Sequence, residues 1–247
     1  MNDKYLLKLW VVAIVLLLLT VYAIFFVFIP IQNYLAIMLA VFIIGVNYII
    51  YQAKKVKIER LFRISSLDDI LRYYDKTIKP SALPEGKFLK SYSKAIVMSL
   101  YGDFYDAYKE MSIYNMSDKV PMYRAMQLNA IALNNYLQKR DILMSLELSK
   151  QAKELSRTNK KWPGRSTAEN AYSTYIEIGE ILNGNFDDTL ILQLEKRYSN
   201  SFFILKIQIA WALAIAYKKL NREREFRKME SYLKEFAPHC RPLFNFD

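Results

Sequence analysis

The chain has 247 residues, 15% of them aromatic, with only 6 Gly and 7 Pro, a supply of large side chains that excludes disordered and collagenous classes. One Cys (Cys240) and one His (His239) exclude a disulfide framework and a Cys/His zinc site within one chain. The formal charge is +11 and the mean hydropathy is near zero, an average that joins an apolar beginning to a polar, basic remainder.

After a short tail at residues 1–8, Leu9–Ile29 reads LWVVAIVLLLLTVYAIFFVFI, 21 residues without a charge. At about 1.5 Å per residue they make roughly 31 Å of helix, enough to cross a hydrocarbon core. Tyr34–Tyr51 is a second uncharged run, of 18 residues, reading YLAIMLAVFIIGVNYIIY. It gives about 27 Å, inside the lower limit for spanning. Pro30, Ile31, Gln32 and Asn33 lie between, and Pro30 stops the first helix. The segment 9–52 is therefore expected to be a transmembrane hairpin. A cleaved signal peptide fits worse, because the apolar run is too long and a second span follows at once. Asn47, polar within the second span, is expected to satisfy itself in helix packing or near the interface.

Lys54, Lys55, Lys57, Arg60 and Arg63 follow the second span against a single Glu59, while the turn between the spans has no charge. The positive-inside rule puts both termini in the cytoplasm and the turn outside, in the manner of a bacterial inner-membrane protein. The juxtamembrane segment 53–64 interleaves these five cations with Val56, Ile58, Leu61 and Phe62. The expectation is an apolar stripe on the bilayer surface, with the cations on anionic headgroups.

Residues 65–247 read as amphipathic helices without a strand series. Ser65 and Ser66 are candidate caps, Asp68 and Asp69 suit a first turn, and Leu67, Ile70, Leu71, Tyr74 and Ile78 keep helical spacing up to Pro80. Four helix pairs follow, turning near Gly102, Lys139–Asp141, Asn183–Asn185 and Asn221. Aligned on their turns, LYGDFYDAYKEM, LQKRDILMSLEL, LNGNFDDTLILQ and KLNREREFRKME show an internal repeat. Gly102, Asp103, Phe104 and Ala107 in the first, and Gly184, Asn185, Phe186 and Thr189 in the third, make a Gly–Asp/Asn–aromatic element followed by a small residue. Ser145 and Ile142 occupy the small and aromatic positions of the second unit, beside Tyr136 and Ala152. In the fourth, Ala210, Ala214, Tyr217 and Pro238 complete the pattern. Over residues 85–238 the chain resembles the tetratricopeptide repeat, with longer units of about 37 to 44 residues and no aromatic opening the first helix. The resemblance implies an all-α fold: a right-handed α–α superhelix of about four helix pairs, with a concave face built from the first helix of each pair. It places Tyr92, Asn134, Thr174, Trp211 and Lys218 on that face, as candidates for contact with a partner.

Nothing in the sequence points to catalysis. The pairs Asp68/Asp69 and Asp187/Asp188 open helices, where carboxylates complement the dipole. His239 and Cys240 are neighbours beside Pro238, and there is no phosphate-cradling loop, HExxH or GxSxG. The expectation is a protein that is not an enzyme and has no cofactor, no metal, no small-molecule substrate and no nucleic-acid ligand. Its partners are the bilayer and an unidentified protein. It acts as a membrane-anchored scaffold recruiting that protein to the cytoplasmic face. The alternative is an accessory subunit of a multi-pass complex, held mainly by the hairpin.

The topology is testable with thiol chemistry. A cysteine placed at Gln32 should react with an impermeant reagent added outside intact cells, and a reporter fused after Asp247 should behave as cytosolic. Labelling of the Gln32 position only after lysis would reverse the topology.

Overall fold

The computed structural model describes residues 15–17, 20, 31–78, 84–114, 121–158 and 165–246. Among these the regular structure is all helical: residues 15–17 and 20, then ten α-helices and one 3-10 turn from Ile31 onward, with no strand. The helices are α1 (Ile31–Ile64), α2 (Leu67–Thr77), α3 (Pro84–Tyr101), α4 (Phe104–Ser112), α5 (Pro121–Gln138), α6 (Ile142–Thr158), α7 (Arg165–Leu182), α8 (Asp188–Asn200), α9 (Phe203–Lys219) and α10 (Glu223–Phe236), followed by the 3-10 turn Arg241–Phe244. The chain divides into two compact units, Met1–Ile58 and Glu59–Asp247.

Of the expected first span, only Val15–Leu17 and Thr20 are described, all helical; the remainder of Leu9–Ile29, with Pro30, lies outside the described residues. The second span falls in α1. Ile37–Ile64 is long and apolar enough to cross a membrane, and its apolar window has no buried share. Ile37, Leu39, Phe42, Ile43, Ile44, Tyr48 and Ile49 are all exposed, and at about 100° per residue they fall on every side of the helix. The Asn47 amide donates to the Ile43 carbonyl at 2.8 Å, so its polarity is satisfied within its own helix.

In the second unit, Ser66 caps α2 by accepting from the Asp69 amide at 3.4 Å, while Asp68 and Asp69 occupy the first turn as expected. The four helix pairs end their first helices alike. Gly102, Lys139, Gly184 and Asn221 take positive φ of 90°, 55°, 79° and 55°. At each, the positive-φ amide bonds back three residues and the next amide bonds back five: Gly102 to Ser99 and Asp103 to Met98, Lys139 to Tyr136 and Arg140 to Asn135, Gly184 to Ile181 and Asn185 to Glu180, Asn221 to Lys218 and Arg222 to Tyr217. This is the Schellman closure, which satisfies the last carbonyls of a helix and requires one left-handed residue. Two of the four positions carry side chains that bear the left-handed strain which Gly avoids.

The helices pack by sequence neighbourhood. Each first helix (α3, α5, α7, α9) touches its second helix (α4, α6, α8, α10), each second helix except the last touches the next first helix, and the first helices form a layer in order α3, α5, α7, α9. This arrangement is compatible with an α-solenoid. In the first three pairs the fourth residue of the second helix is buried: Ala107 of α4, Ser145 of α6 and Ile191 of α8; in α10 the corresponding Phe226 is only partly buried. Thr189, expected at the small position of the third unit, is exposed. The cause is turn length. Phe186 and Asp187 remain outside the helix after the closure at Gly184, so α8 starts two residues later than α4 does, and Asp187 caps it by accepting from the Leu190 amide at 2.8 Å.

The expected stripe of the juxtamembrane segment is also corrected at Phe62, which is fully buried in the second unit. Its ring centroid lies 5.9 Å from that of Tyr101 and 5.3 Å from that of Phe203, both edge to face. A large aromatic buries more area among other rings than at a headgroup surface. Gly179, inside α7, allows the closest approach. A Cβ there would overlap the Tyr136 hydroxyl and stand 3.0 Å from Leu146 Cδ1.

Gly179→Ala should therefore destabilise the chain by about 1–3 kcal/mol through overpacking, and Ala107→Leu by a similar amount. Gly184→Ala, with open space around the added methyl but positive φ, should cost only the left-handed strain, about 1–2 kcal/mol. Thermal melts of the detergent-solubilised chain read all three. A Gly179→Ala melt identical to that of the parent would contradict the close approach.

Candidate partner-binding face

The first-helix layer is the surface on which a partner was expected. Tyr92 of α3 is half-buried, and desolvation pushes its phenol up to about 12. Asn134 of α5 is buried: it accepts from the Ser99 hydroxyl at 3.0 Å and donates to the Phe104 carbonyl at 3.2 Å, tying α5 to α3 and to the start of α4. Thr174 of α7 is buried and donates to the Asn170 carbonyl. It lines an open groove of about 480 Å³ between α7, α8 and the start of α9, beside Asn170, Lys196, Arg197 and Phe202. Trp211 of α9 is fully buried, and its indole N–H donates to the Asn245 carbonyl at 3.1 Å. Lys218 is exposed. The five residues thus lie on the four first helices without forming one open surface.

What covers Trp211 is the segment Ala237–Phe246. Its 3-10 turn touches α3, α5, α9 and α10. Ala237, Cys240 and Leu243 are completely buried, Pro242 packs at Gly102, and Lys139 donates to the Asn245 side chain at 3.2 Å. Phe246 meets Phe226 edge to face at 5.3 Å. Burial pushes the Cys240 thiol well above its ordinary range, so it stays protonated at neutral pH, while His239 beside it is exposed.

A second feature of the layer was not read from the sequence. Tyr92 of α3, Asn129 of α5, Tyr172 and Tyr175 of α7 and Gln208 of α9 converge in the interior. The Tyr175 phenol feels both the Asn129 and Gln208 amides, yet burial dominates and raises it; Tyr92 also feels the Asn129 amide. Asn129 and Gln208 are fully buried, and neither nitrogen nor oxygen of either amide closes a hydrogen bond. Lone polar residues in apolar stretches such as QIAWALA were the available signal, but which residues meet across four helices depends on helix phase.

The cations divide by partner. Lys54, Lys55 and Arg60 are exposed on α1, as is Lys57, which has an interaction of its own. Arg63, expected at the headgroups, is engaged elsewhere: it pairs with Glu235 at 3.1 Å and lies 4.0 Å over the Phe236 ring. In the basic stretch 139–165, Arg157 is held by Glu154 and Glu169, and Lys160 and Lys161 lie outside the described residues. The cluster at 218–228 is laced with acids, as in Arg227–Glu223 and Arg222–Asp188, both at 2.6 Å. Glu177 is buried, and desolvation raises its carboxyl against the opposing pull of Arg197, which lies 2.8 Å away. The chain matches no family model, no curated protein and no solved structure.

The unpaired amides carry a stability prediction. Replacing Gln208 with Met keeps the volume and removes a buried polar group worth about 1–3 kcal/mol in desolvation, so the melt should hold or rise. A loss above about 1 kcal/mol would show that the amide is hydrogen-bonded in solution.

Proposed function

We propose that the protein is a membrane-anchored scaffold. In this reading residues 9–52 form a hairpin that crosses the bilayer twice. Both termini lie in the cytoplasm of a bacterial-type cell, and residues 65–247 form a tetratricopeptide-like right-handed superhelix. The superhelix recruits a protein partner to the cytoplasmic face of the membrane; no chemistry, cofactor, metal or nucleic acid is involved. The observation that carries the reading is the repetition of one helix-ending turn at Gly102, Lys139, Gly184 and Asn221, with the first helices ranged side by side. Solenoids built this way expose long faces suited to other chains. Lys54, Lys55 and Lys57, beside the apolar stretch of α1, support contact with anionic headgroups, each cation contributing about 1 kcal/mol near the surface.

The accessory-subunit reading draws on a different observation. The apolar side chains from Ile37 to Ile50 are exposed around α1, so another span has room to pack there. Photo-crosslinking in native membranes separates the two. A photoreactive residue at Lys218 or Lys196 should yield a discrete protein adduct under the scaffold reading, and one at Ile44 chiefly lipid. Adducts confined to Ile44 would replace the scaffold with the subunit.

A further inference from the structure

The segment Ala237–Phe246 differs from every other part of the second unit in how it is held. It is not a regular helix, and its own backbone bonds are short-range: Cys240 to Ala237, Arg241 to His239, Leu243 to Cys240 and Asn245 to Pro242. Apart from the Ala237 amide, which bonds the Leu233 carbonyl at the end of α10, these bonds stay within the segment, so detaching residues 238–246 breaks no helix ladder. Its grip on the first-helix layer includes inserted side chains, Cys240 and Leu243 above all, and polar contacts to Asn245 from the Trp211 indole and from Lys139. In contacting α3, α5 and α9, it occupies three of the four first helices, the very surface a partner of a helical-repeat scaffold would use. The occupant also displays what the surface accepts. A proline packs at the glycine that ends α3, an aliphatic side chain is buried, the Phe246 ring meets Phe226 with Phe244 against it, and a backbone carbonyl satisfies the Trp211 indole.

We propose that Ala237–Phe246 is a displaceable occupant of the first-helix layer, and that the partner docks there through a short segment of the same chemistry, an aliphatic side chain following a proline and followed by aromatics. The segment is an internal competitor. Tethered directly to α10, it has a high effective concentration, so a partner must bind tightly, or be held at the same membrane, to displace it. The identity of the surface rests on the scaffold reading for there being a partner; the opening of the segment does not.

Cys240, the sole cysteine of the sequence, reports the opening within the intact chain. In detergent-solubilised full-length protein, a thiol reagent should label Cys240 at a rate independent of urea well below the unfolding midpoint, which is the mark of local rather than global opening. Trp211→Phe removes the donor to Asn245 and trims the buried indole to a phenyl ring, which lowers the melt, but at urea concentrations below the variant's own unfolding transition it should still speed labelling about fivefold without making the rate depend on urea. The full chain carrying Leu243→Glu should keep its helical content with the segment undocked. It should then bind a fluorescent peptide of residues 237–246 at least about tenfold more tightly than the parent, whose face is occupied. Labelling that follows the same urea dependence as the loss of helix overturns the proposal and makes the segment a fixed part of the core. So does a folded Leu243→Glu chain that ignores the peptide. Should Leu243→Glu unfold the protein, the labelling kinetics of the parent and of Trp211→Phe decide alone. Failure to find a crosslinked protein partner would remove the scaffold reading and leave these kinetics as they stand.

Discussion

Helix α9 has no polar face. Every residue from Ile207 to Tyr217 is buried, and a helix that is apolar all round is tolerable outside lipid only when protein covers most of its surface. Much of the second unit follows from that demand. α7 and α8 cover one side, α10 covers another, and the 3-10 turn at Arg241–Phe244 closes part of what is left. At its start, Phe203 is met by Phe62 and Phe236. Even the Trp211 nitrogen and the Tyr217 hydroxyl find partners, in the Asn245 carbonyl and the Glu195 carboxylate.

The same demand explains why the layer tolerates defects elsewhere. Asn129 and Gln208 hold unpaired amides, and Lys139 and Asn221 sit at left-handed φ, each a local cost of about 1–3 kcal/mol by general experience. These costs are borne because enclosing α9 removes large apolar area from water, at about 25 cal/mol per Å². Gly179 belongs to the same economy of space: its missing side chain lets Tyr136 lie against α7 with its hydroxyl 3.2 Å from Ser149.

The sequence was most legible where local chemistry decides. The four turns, the Ser66 cap, the carboxylates opening α2 and α8, and the apolar run of α1 all announce themselves within a few residues. The class of fold, all α with neighbouring helices packed in order, followed from the same signals. Registration between turns was less legible. Two residues held outside α8 after the closure at Gly184 rotate the buried face from Thr189 to Ile191, which no count of small residues reveals. Phe62 and Arg63 read as membrane-facing because they follow a basic run, yet they are taken up by Phe203, Phe236 and Glu235 from the far end of the sequence. Trp211 read as an anchor for a partner because nothing near it in sequence shows that residues 237–246 return to cover it.

A face covered by its own chain gives the proposed scaffold a resting state, in which the apolar surface needed for recruitment is hidden from water. The account as a whole depends on α9 being enclosed by the chain itself. Hydrogen exchange of the detergent-solubilised full-length protein, resolved to peptides, measures this directly. The account predicts that amides of Ile207–Tyr217 exchange the slowest of the second unit, opening only with global unfolding, while those of α4 and α8 exchange faster. Amides of α9 exchanging as fast as those of α4 and α8 would contradict it.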